Sequence, residues 1–422
     1  MKTLRIGLCG TGNVGYAFAE TIIKSNPLIK KNYGIDVSLS MIGARKGKAP
    51  GLETIPVTKD IQEVPLSDDV DVVVELIGGI DDAYELAKST FNNKKHFVTA
   101  NKALIAKHSK ELFELAKQNN VHLGFEASVA GGIPIIRIIR DGLMSNKINS
   151  FAGILNGTSN FIFSKMADEG LPFETALSLA QKEGFAEPDP TFDISGQDAA
   201  QKTSILATLS FFKHAVIENI YFEGIDKVTP QDINFGKQLE LILKPLSVGQ
   251  LSEDKITLGS FPAFVKEKSL LASIENESNA VLMNAENVGE TMYAGPGAGA
   301  KPTSNSVLSD IIDIATGKIF DYQKFVESPL ASSFENFSCD HYLRFIVSDE
   351  PGVVAKISTV LAENNLSIDN LIQNELDRED DAIPLVIVIS NSKEKIMQNT
   401  ISDLQKLPEV KNSISHIRIL DI

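Results

Sequence analysis

The feature that most constrains this chain begins at residue 10. Leu4–Cys9 is a short apolar run broken only by Arg5 and Gly7. It leads into Gly10-Thr11-Gly12-Asn13-Val14-Gly15, and Tyr16–Lys24 follows with Phe18, Ile22 and Ile23 at helical spacing. That order is strand, glycine turn, helix. Gly10 permits the tight turn, Gly12 lets backbone amides approach a pyrophosphate, and Gly15 allows close helix–strand packing, while the helix N-terminus offers unpaired N–H groups to an anion. The six residues Gly10, Thr11, Gly12, Asn13, Val14 and Gly15 are therefore expected to bind a dinucleotide. Cys9 reads as a small buried strand residue rather than a reactive thiol.

A second strand, Val37–Ile42, ends at Gly43-Ala44-Arg45-Lys46-Gly47-Lys48. An NAD-specific domain would place a carboxylate here for the ribose 2′-hydroxyl. None is present, and Arg45, with Lys46 or Lys48, suits a 2′-phosphate, so NADP(H) is expected over NAD(H). Further strands at Val70–Leu76, Phe97–Ala100 and Val121–Phe125 alternate with helices at Asp82–Asn92 and Ser109–Gln118. Alternation of this kind implies a mostly parallel sheet with ligands at the C-terminal strand ends, which brings Gly78, Gly79 and Lys102 towards the glycine turn.

Forty Lys and Arg against 55 Asp and Glu leave a net charge of −15, with no basic tract of the kind a nucleic acid or anionic membrane requires. Apolar runs such as Ile133–Ile139 fall far short of the ~20 residues that span a bilayer. The N-terminus lacks a signal-peptide h-region, so no membrane or nucleic-acid partner and a cytoplasmic location are expected. The two cysteines, Cys9 and Cys339, exclude a disulfide framework and a cysteine-based zinc site.

Chemistry is concentrated in the centre. Glu183-Gly184-Phe185-Ala186-Glu187-Pro188-Asp189-Pro190 is an acidic, proline-rich loop, and a helix starting near Gly196 carries Asp198 and Lys202 four residues apart. Spacing alone better fits an ordinary exposed ion pair. The apolar positions Ile205, Leu206, Leu209 and Phe212 nevertheless give the helix a buried face, and a lysine at a cleft rim can exchange a proton with a reacting hydroxyl. The six histidines show no metal-ligand spacing, and there is no GxSxG elbow. Lysine and carboxylate remain. Two glycine-rich loops, Glu126–Pro134 and Ala294–Thr303, are also present; the first could hold a hard cation, although a plain turn is the better reading of its residues alone.

Together these segments resemble homoserine dehydrogenase. The Gly10–Gly15 turn, Thr99-Ala100-Asn101-Lys102-Ala103-Leu104, Gly131-Gly132-Ile133-Pro134, Leu155-Asn156-Gly157-Thr158-Ser159-Asn160, Gly184–Pro190 with Asp198 and Lys202, and Gly295–Thr303 occur in that family's order. The resemblance implies NAD(P)-dependent interconversion of L-homoserine and L-aspartate 4-semialdehyde, a step towards threonine and methionine. It implies Lys202 as proton donor and acceptor, and Lys102 as its cationic helper near the nicotinamide. It gives Gly184, Glu187 and Asp198 as substrate-binding residues and Gly299 as a second cofactor contact. It also suggests a monovalent cation (Na+ or K+) held by Glu126 with the backbone of Val129, Gly131 and Ile133. Many relatives have Tyr where this chain has Phe185. A histidine-based dehydrogenase, a cysteine-dependent aspartate-semialdehyde dehydrogenase and a silent amino-acid sensor fit less well, the last because Lys102, Glu187, Asp198 and Lys202 are all intact.

Residues 321–340 read as a linker, with Cys339 inside it. Tyr342–Val347, Val353–Asn364, Leu366–Asn374, Leu385–Ser390, Lys393–Leu407 and Ser413–Leu420 then follow the order βαββαβ. This segment resembles an ACT domain through Asp349-Glu350-Pro351-Gly352-Val353 and Asn365-Leu366-Ser367-Ile368. The resemblance implies an amino-acid effector, threonine first, at Asp349, Gly352, Ile368 and Asn370 between paired domains, and a homodimer or homotetramer. The expected fold is α/β with three parts: a Rossmann-type domain (1–132, with a return segment about 300–320), an α+β catalytic and dimerisation domain (133–300), and a ferredoxin-like ACT domain (341–422).

Overall fold

In the computed structural model, which describes residues 2–252, 255–318, 320–325, 333–374 and 382–422, the N-terminal segments form a parallel sheet. Its elements are β1 (Lys2–Cys9), α1 (Asn13–Tyr33), β2 (Ile35–Gly43), β3 (Val57–Thr58), β4 (Val72–Glu75), α2 (Asp81–Asn92), β5 (His96–Thr99), α3 (Lys102–Gln118) and β6 (Leu123–Gly124). The strand order is β3-β2-β1-β4-β5-β6, every pair parallel. The order reverses between β1 and β4, and ligands of such sheets bind beyond the strand C-termini at that point.

Two helices depart most from the sequence expectation. α1 runs past Lys24, through Pro27, to Tyr33, where Gly34 (φ +68°) closes it with an N–H bond to the Lys30 carbonyl. Pro27 and Ile23 are exposed, so the carbonyl that proline leaves unbonded can meet water. α3 begins at Lys102 rather than Ser109, because the Asn101 side chain accepts the Leu104 N–H at 3.1 Å and caps the helix.

The chain continues through α4 (Ile135–Arg137), β7 (Ile148–Ile154), α5 (Gly157–Glu169), α6 (Phe173–Glu183), α7 (Thr191–Ile194), α8 (Gln197–Phe211), β8 (Tyr221–Phe222), α9 (Pro230–Gln238), β9 (Leu241–Ser252), β10 (Lys255–Lys266), β11 (Ser278–Ala285), β12 (Gly289–Pro296) and α10 (Ala300–Ala315). It ends in β13 (Ser338–Ser348), α11 (Val353–Glu363), β14 (Ile368–Gln373), β15 (Ala382–Lys393), α12 (Glu394–Leu404) and β16 (Ser415–Leu420). Two units result: Met1–Ser150 with Gln201–Glu218 and Asn279–Leu330, and Phe151–Ala200 with Asn219–Ser278 and Ala331–Ile422. In the first, α10 returns to the parallel sheet, its Val307, Leu308, Ile311 and Ile314 sharing a core with Leu4, Ile6, Phe18 and Ile22.

In the second unit the C-terminal βαββαβ segment has the order β16-β13-β15-β14, and β16 also runs parallel to β10. Alternation along β13 explains why both sheet faces are covered. Leu343, Phe345 and Val347 pack with Ile357, Leu361, Met397 and Leu404 of α11 and α12, whereas Tyr342 joins Phe161, Phe235 and Phe264. The ACT-like segment thus has its own core and also shares one with the strands and helices before it. Cys339 lies in β13 and is buried, not in a linker; burial pushes its thiol up to about 12. Phe334 and Phe337 nearby are buried too, while residues 326–332 of the expected linker lie outside the described residues.

Candidate active site

The glycine turn shows three different steric demands. Gly10 has φ +111°, and a Cβ there would lie 2.5 Å from the Leu76 carbonyl oxygen; at Gly15 it would lie 2.1 Å from that of Gly10. At Gly12 it would meet nothing within 4 Å. Protein packing therefore accounts for Gly10 and Gly15, whereas the open face at Gly12 suits a backbone approached from outside. Gly12 caps α1 without a side-chain bond, and the first turn of α1 has no acidic residue to compete with an anion. These are the features a pyrophosphate requires.

A cavity of about 800 Å³ opens beside the turn, lined by Gly10, Thr11, Gly12, Arg45, Lys46, Lys48 and Lys59, among others. Sequence reasoning overlooked Lys59. It reaches the Arg45 loop because β3 pairs with β2, Gly43 opposite Thr58, and its stem crosses Gly47, where a Cβ would lie 2.8 Å from it. Asn13, Val14, Gly15, Lys102 and Gly299 belong to the same unit but do not line this cavity.

Lys102 is the half-buried first residue of α3. The turn before it is anchored by Glu75, fully buried at the end of β4, which accepts N–H bonds from Ile77 (2.7 Å) and Gly78 (3.0 Å) and the Thr99 hydroxyl (2.6 Å). Thr99 accepts the Asn101 N–H in turn, and the Asn101 amide donates to the Gly79 carbonyl. A glutamate ending an otherwise apolar strand was the available signal for Glu75.

Asp198 and Lys202 occupy the first two turns of α8, Asp198 buried and Lys202 half-buried. Asn156 caps α5, its Oδ1 accepting the Ser159 N–H, while its amide donates to Asp193 and Asp198, both at 2.8 Å. Gly184 is exposed and closes α6 at φ +83°. Glu187 is exposed, its carbonyl accepting the Gln181 amide at 3.3 Å. The Phe185 ring packs on Phe161 at 4.8 Å.

The loops at Gly131 and Gly297 press together: a Cβ on Gly131 would lie 2.5 Å from the Gly297 oxygen, and Gly132 N–H donates to the Pro296 carbonyl. Gly299 (φ +111°) caps α10, whose Ser306 hydroxyl donates to the Gly131 carbonyl at 2.6 Å, while that of Ser304 donates to the Ala300 carbonyl one turn back. Glu126 is buried. Its carboxylate, expected to face a cation among open carbonyls, accepts the Ile136 and Arg137 N–H bonds at 2.9 and 3.0 Å. Burial, with the neighbouring Asp310, pushes its pKa up.

In the ACT-like segment, Gly352 (φ +96°) caps α11 after the exposed Asp349 turn, and Ile368 and Asn370 lie in the edge strand β14. The fold also gathers His341, Glu394 and His416, which their sequence spacing did not reveal. They form a hydrogen-bond network: His341 Nδ1 lies 2.9 Å from His416 Nε2, its Nε2 lies 3.1 Å from the Ser392 carbonyl, and both Glu394 oxygens accept from the buried Arg418. With its carboxylate neutralised by a guanidinium, this cluster is a poor cation site.

A doubly wound sheet with an externally open glycine turn, a four-cation cavity beside it and a helix carrying lysine and aspartate define a dinucleotide-dependent oxidoreductase. Family profiles resolve it further: homoserine dehydrogenase NAD binding domain over residues 10–126, homoserine dehydrogenase over 134–312 and ACT domain over 341–409. The homoserine dehydrogenase of Pseudomonas aeruginosa is 38% identical over 431 residues, covering 99% of each chain. That of Helicobacter pylori is 39% identical over 421 residues with the same coverage. The crystal structure of a homoserine dehydrogenase from Thiobacillus denitrificans superposes with TM-score 0.93 at 35% identity, covering 100% of this chain and 99% of the other. A hyperthermophilic archaeal homoserine dehydrogenase in complex with NADPH matches at TM-score 0.65 and 27% identity, over 75% of this chain and 99% of its own. The chain belongs to the homoserine dehydrogenase family, and it carries an NAD(P)-binding domain and an ACT domain. Among the described residues, no helix is long and apolar enough to cross a membrane.

Proposed function

We propose that the chain interconverts L-aspartate 4-semialdehyde and L-homoserine with NADP(H) as its preferred cofactor, Lys202 carrying the proton. Bound nicotinamide supplies or takes up the hydride. Lys202 protonates the substrate oxygen in reduction and deprotonates it in the reverse direction. Lys102 adds a second positive charge, lowering the cost of negative charge developing on that oxygen. Asp198 and Glu187 hold the substrate ammonium, with Gly184 leaving their loop uncrowded. The observation that carries this reading is the bond from Asn156 to Asp198, which fixes one carboxylate four residues before Lys202 on the same helix.

The cofactor preference rests on Arg45, Lys46, Lys48 and Lys59 around one cavity beside Gly12. Four cations suit a 2′-phosphate better than a ribose hydroxyl. The turn residues Asn13, Val14 and Gly15, with Gly299 at the start of α10, complete the cofactor set. For the monovalent cation the ligands are Glu126 and the backbone carbonyls of Val129, Gly131 and Ile133. Threonine is the effector at Asp349, Gly352, Ile368 and Asn370, and the exposed edge of β14 supports assembly into a homodimer or homotetramer. A cytoplasmic location completes the reading.

The test follows NADPH and NADH oxidation with L-aspartate 4-semialdehyde, with and without L-threonine, in sodium, potassium and choline buffers. Faster turnover with NADPH, a response to the small alkali cations and a change with threonine are expected. Absence of NADPH or NADH oxidation when the semialdehyde is added overturns the reaction; each other arm tests its own assignment.

A further inference from the structure

The sheet of the second unit forks at its centre. β10 and β16 pair only over Ala263–Val265 and Arg418–Leu420. Continuing that register would set Pro262 opposite Ile417, and proline has no N–H to give. Beyond it the edge of β10 is taken by β8, with Tyr221 opposite Gly259 and Phe222 opposite Ser260. The edge of β16 over Ser415–Ile417, paired on its other side with β13, is therefore left without a strand partner among the described residues.

A cavity of about 760 Å³ fills the fork, within the range of small-molecule sites. Its wall carries both charge signs. Arg418 and the Tyr221 hydroxyl bond to Oε2 of Glu223, each at 2.8 Å, so this carboxylate is fixed while Oε1 has no partner among the described residues. Lys227 lines the same cavity, is exposed, and has no ion-pair partner among the described residues. Arg344 also lines it but is already balanced by Asp232, at 2.7 and 3.0 Å. The available groups are thus one carboxylate oxygen, one ammonium and the backbone edge of β16, with Val228 and Ile414 supplying apolar wall.

We propose that this fork is an amino-acid-binding site separate from the Asp349–Gly352 turn, taking a zwitterion whose ammonium meets Glu223, whose carboxylate meets Lys227 and whose polar groups pair with the β16 edge. A polyphosphate is disfavoured because Glu223 would face it and Lys227 is the single unpaired cation named. An uncharged apolar ligand would leave both charges unmatched. The site joins the segment before α9 to the last strand of the ACT sheet, so its ligand contacts both halves of that unit's fold.

Calorimetric titration of the full chain with each proteinogenic L-amino acid tests this, in an Asp349→Ala, Asn370→Ala background that removes the proposed turn site. At least one amino acid is expected to bind there, with about ten-fold weaker affinity in Lys227→Met, weaker still in Lys227→Glu, and slowed hydrogen exchange at the amides of Ser415–Ile417. Absence of binding by every amino acid in that background, or affinity unchanged by Lys227→Glu, overturns the proposal. The turn site is judged separately, by threonine titration of the unsubstituted chain.

Discussion

The Asn156 side chain donates a hydrogen bond to the buried Asp198 carboxylate at 2.8 Å, while its second amide hydrogen goes to Asp193 at the same distance. One neutral amide thus bridges two acids. Asn156→Ser keeps an oxygen able to cap α5, so stability should fall by only a few tenths of a kcal/mol to ~1 kcal/mol. Losing both donors removes the bond by which Asn156 positions Asp198. The KM for homoserine is expected to rise about ten-fold or more with the NADPH KM unchanged, measured by steady-state kinetics. An unchanged homoserine KM would deny Asp198 its substrate role.

Lys202 lies one turn further along the same helix. Lys202→Met keeps an unbranched apolar stem and removes the ammonium. A positioned acid–base group contributes about 10²–10⁴-fold, so kcat should fall by that factor in both directions while NADPH still binds, as followed by fluorescence titration. Turnover near that of the unsubstituted chain would exclude Lys202 as proton carrier.

For the cofactor, Arg45→Ala and Lys59→Ala should each raise the NADPH KM by about ten-fold and leave the NADH KM within a factor of two, since one lost charged hydrogen bond costs about 1.5–3 kcal/mol. The effect should shrink with added salt. Equal losses with both cofactors would mean that these cations serve the pyrophosphate or the fold instead.

Local pattern made the glycine turn readable: a strand, three spaced glycines and a helix lie within a stretch short enough that no distant residue is needed to interpret them. The same holds for the ACT-like elements, where alternation in Tyr342–Val347 survives because each face of β13 meets its own core. What was hidden depends on strand pairing. Lys59 joins Arg45 only because Gly43 and Thr58 are neighbours across β2 and β3, and His341 meets His416 only through pairing of β13 with β16. The role of Asn156 was obscured for another reason: an N-cap asparagine looks the same in sequence whether its amide is idle or holds two carboxylates. Pro27 misled the length of α1, since an exposed proline can sit in a helix whose freed carbonyl meets solvent.

His122 offers a pH test of the first unit. It is fully buried, its Nδ1 accepts the Phe320 N–H at 3.4 Å, and its Nε2 has no partner among the described residues. Burial, reinforced by the charge of Arg140, lowers its pKa to about 3. In the unfolded chain the value is about 6.5. Above that value both states leave it neutral and the stability is fully present. As the pH falls from ~6.5 towards ~3, the unfolded chain takes up a proton that the folded chain refuses, and the unfolding free energy drops by up to ~1.4 kcal/mol per pH unit. Glu126 and Asp310, whose pKa values burial raises, act in the opposite direction, holding protons better when folded. They are common to both proteins, so the comparison between this chain and His122→Asn isolates the histidine. The variant should lose about 1–2 kcal/mol at pH 7.5 through poorer packing, then recover relative to the unsubstituted chain by roughly 2 kcal/mol or more near pH 4.5. Urea unfolding at a series of pH values measures both, and parallel stability curves would mean that His122 takes up its proton at the same pH in the folded and the unfolded chain.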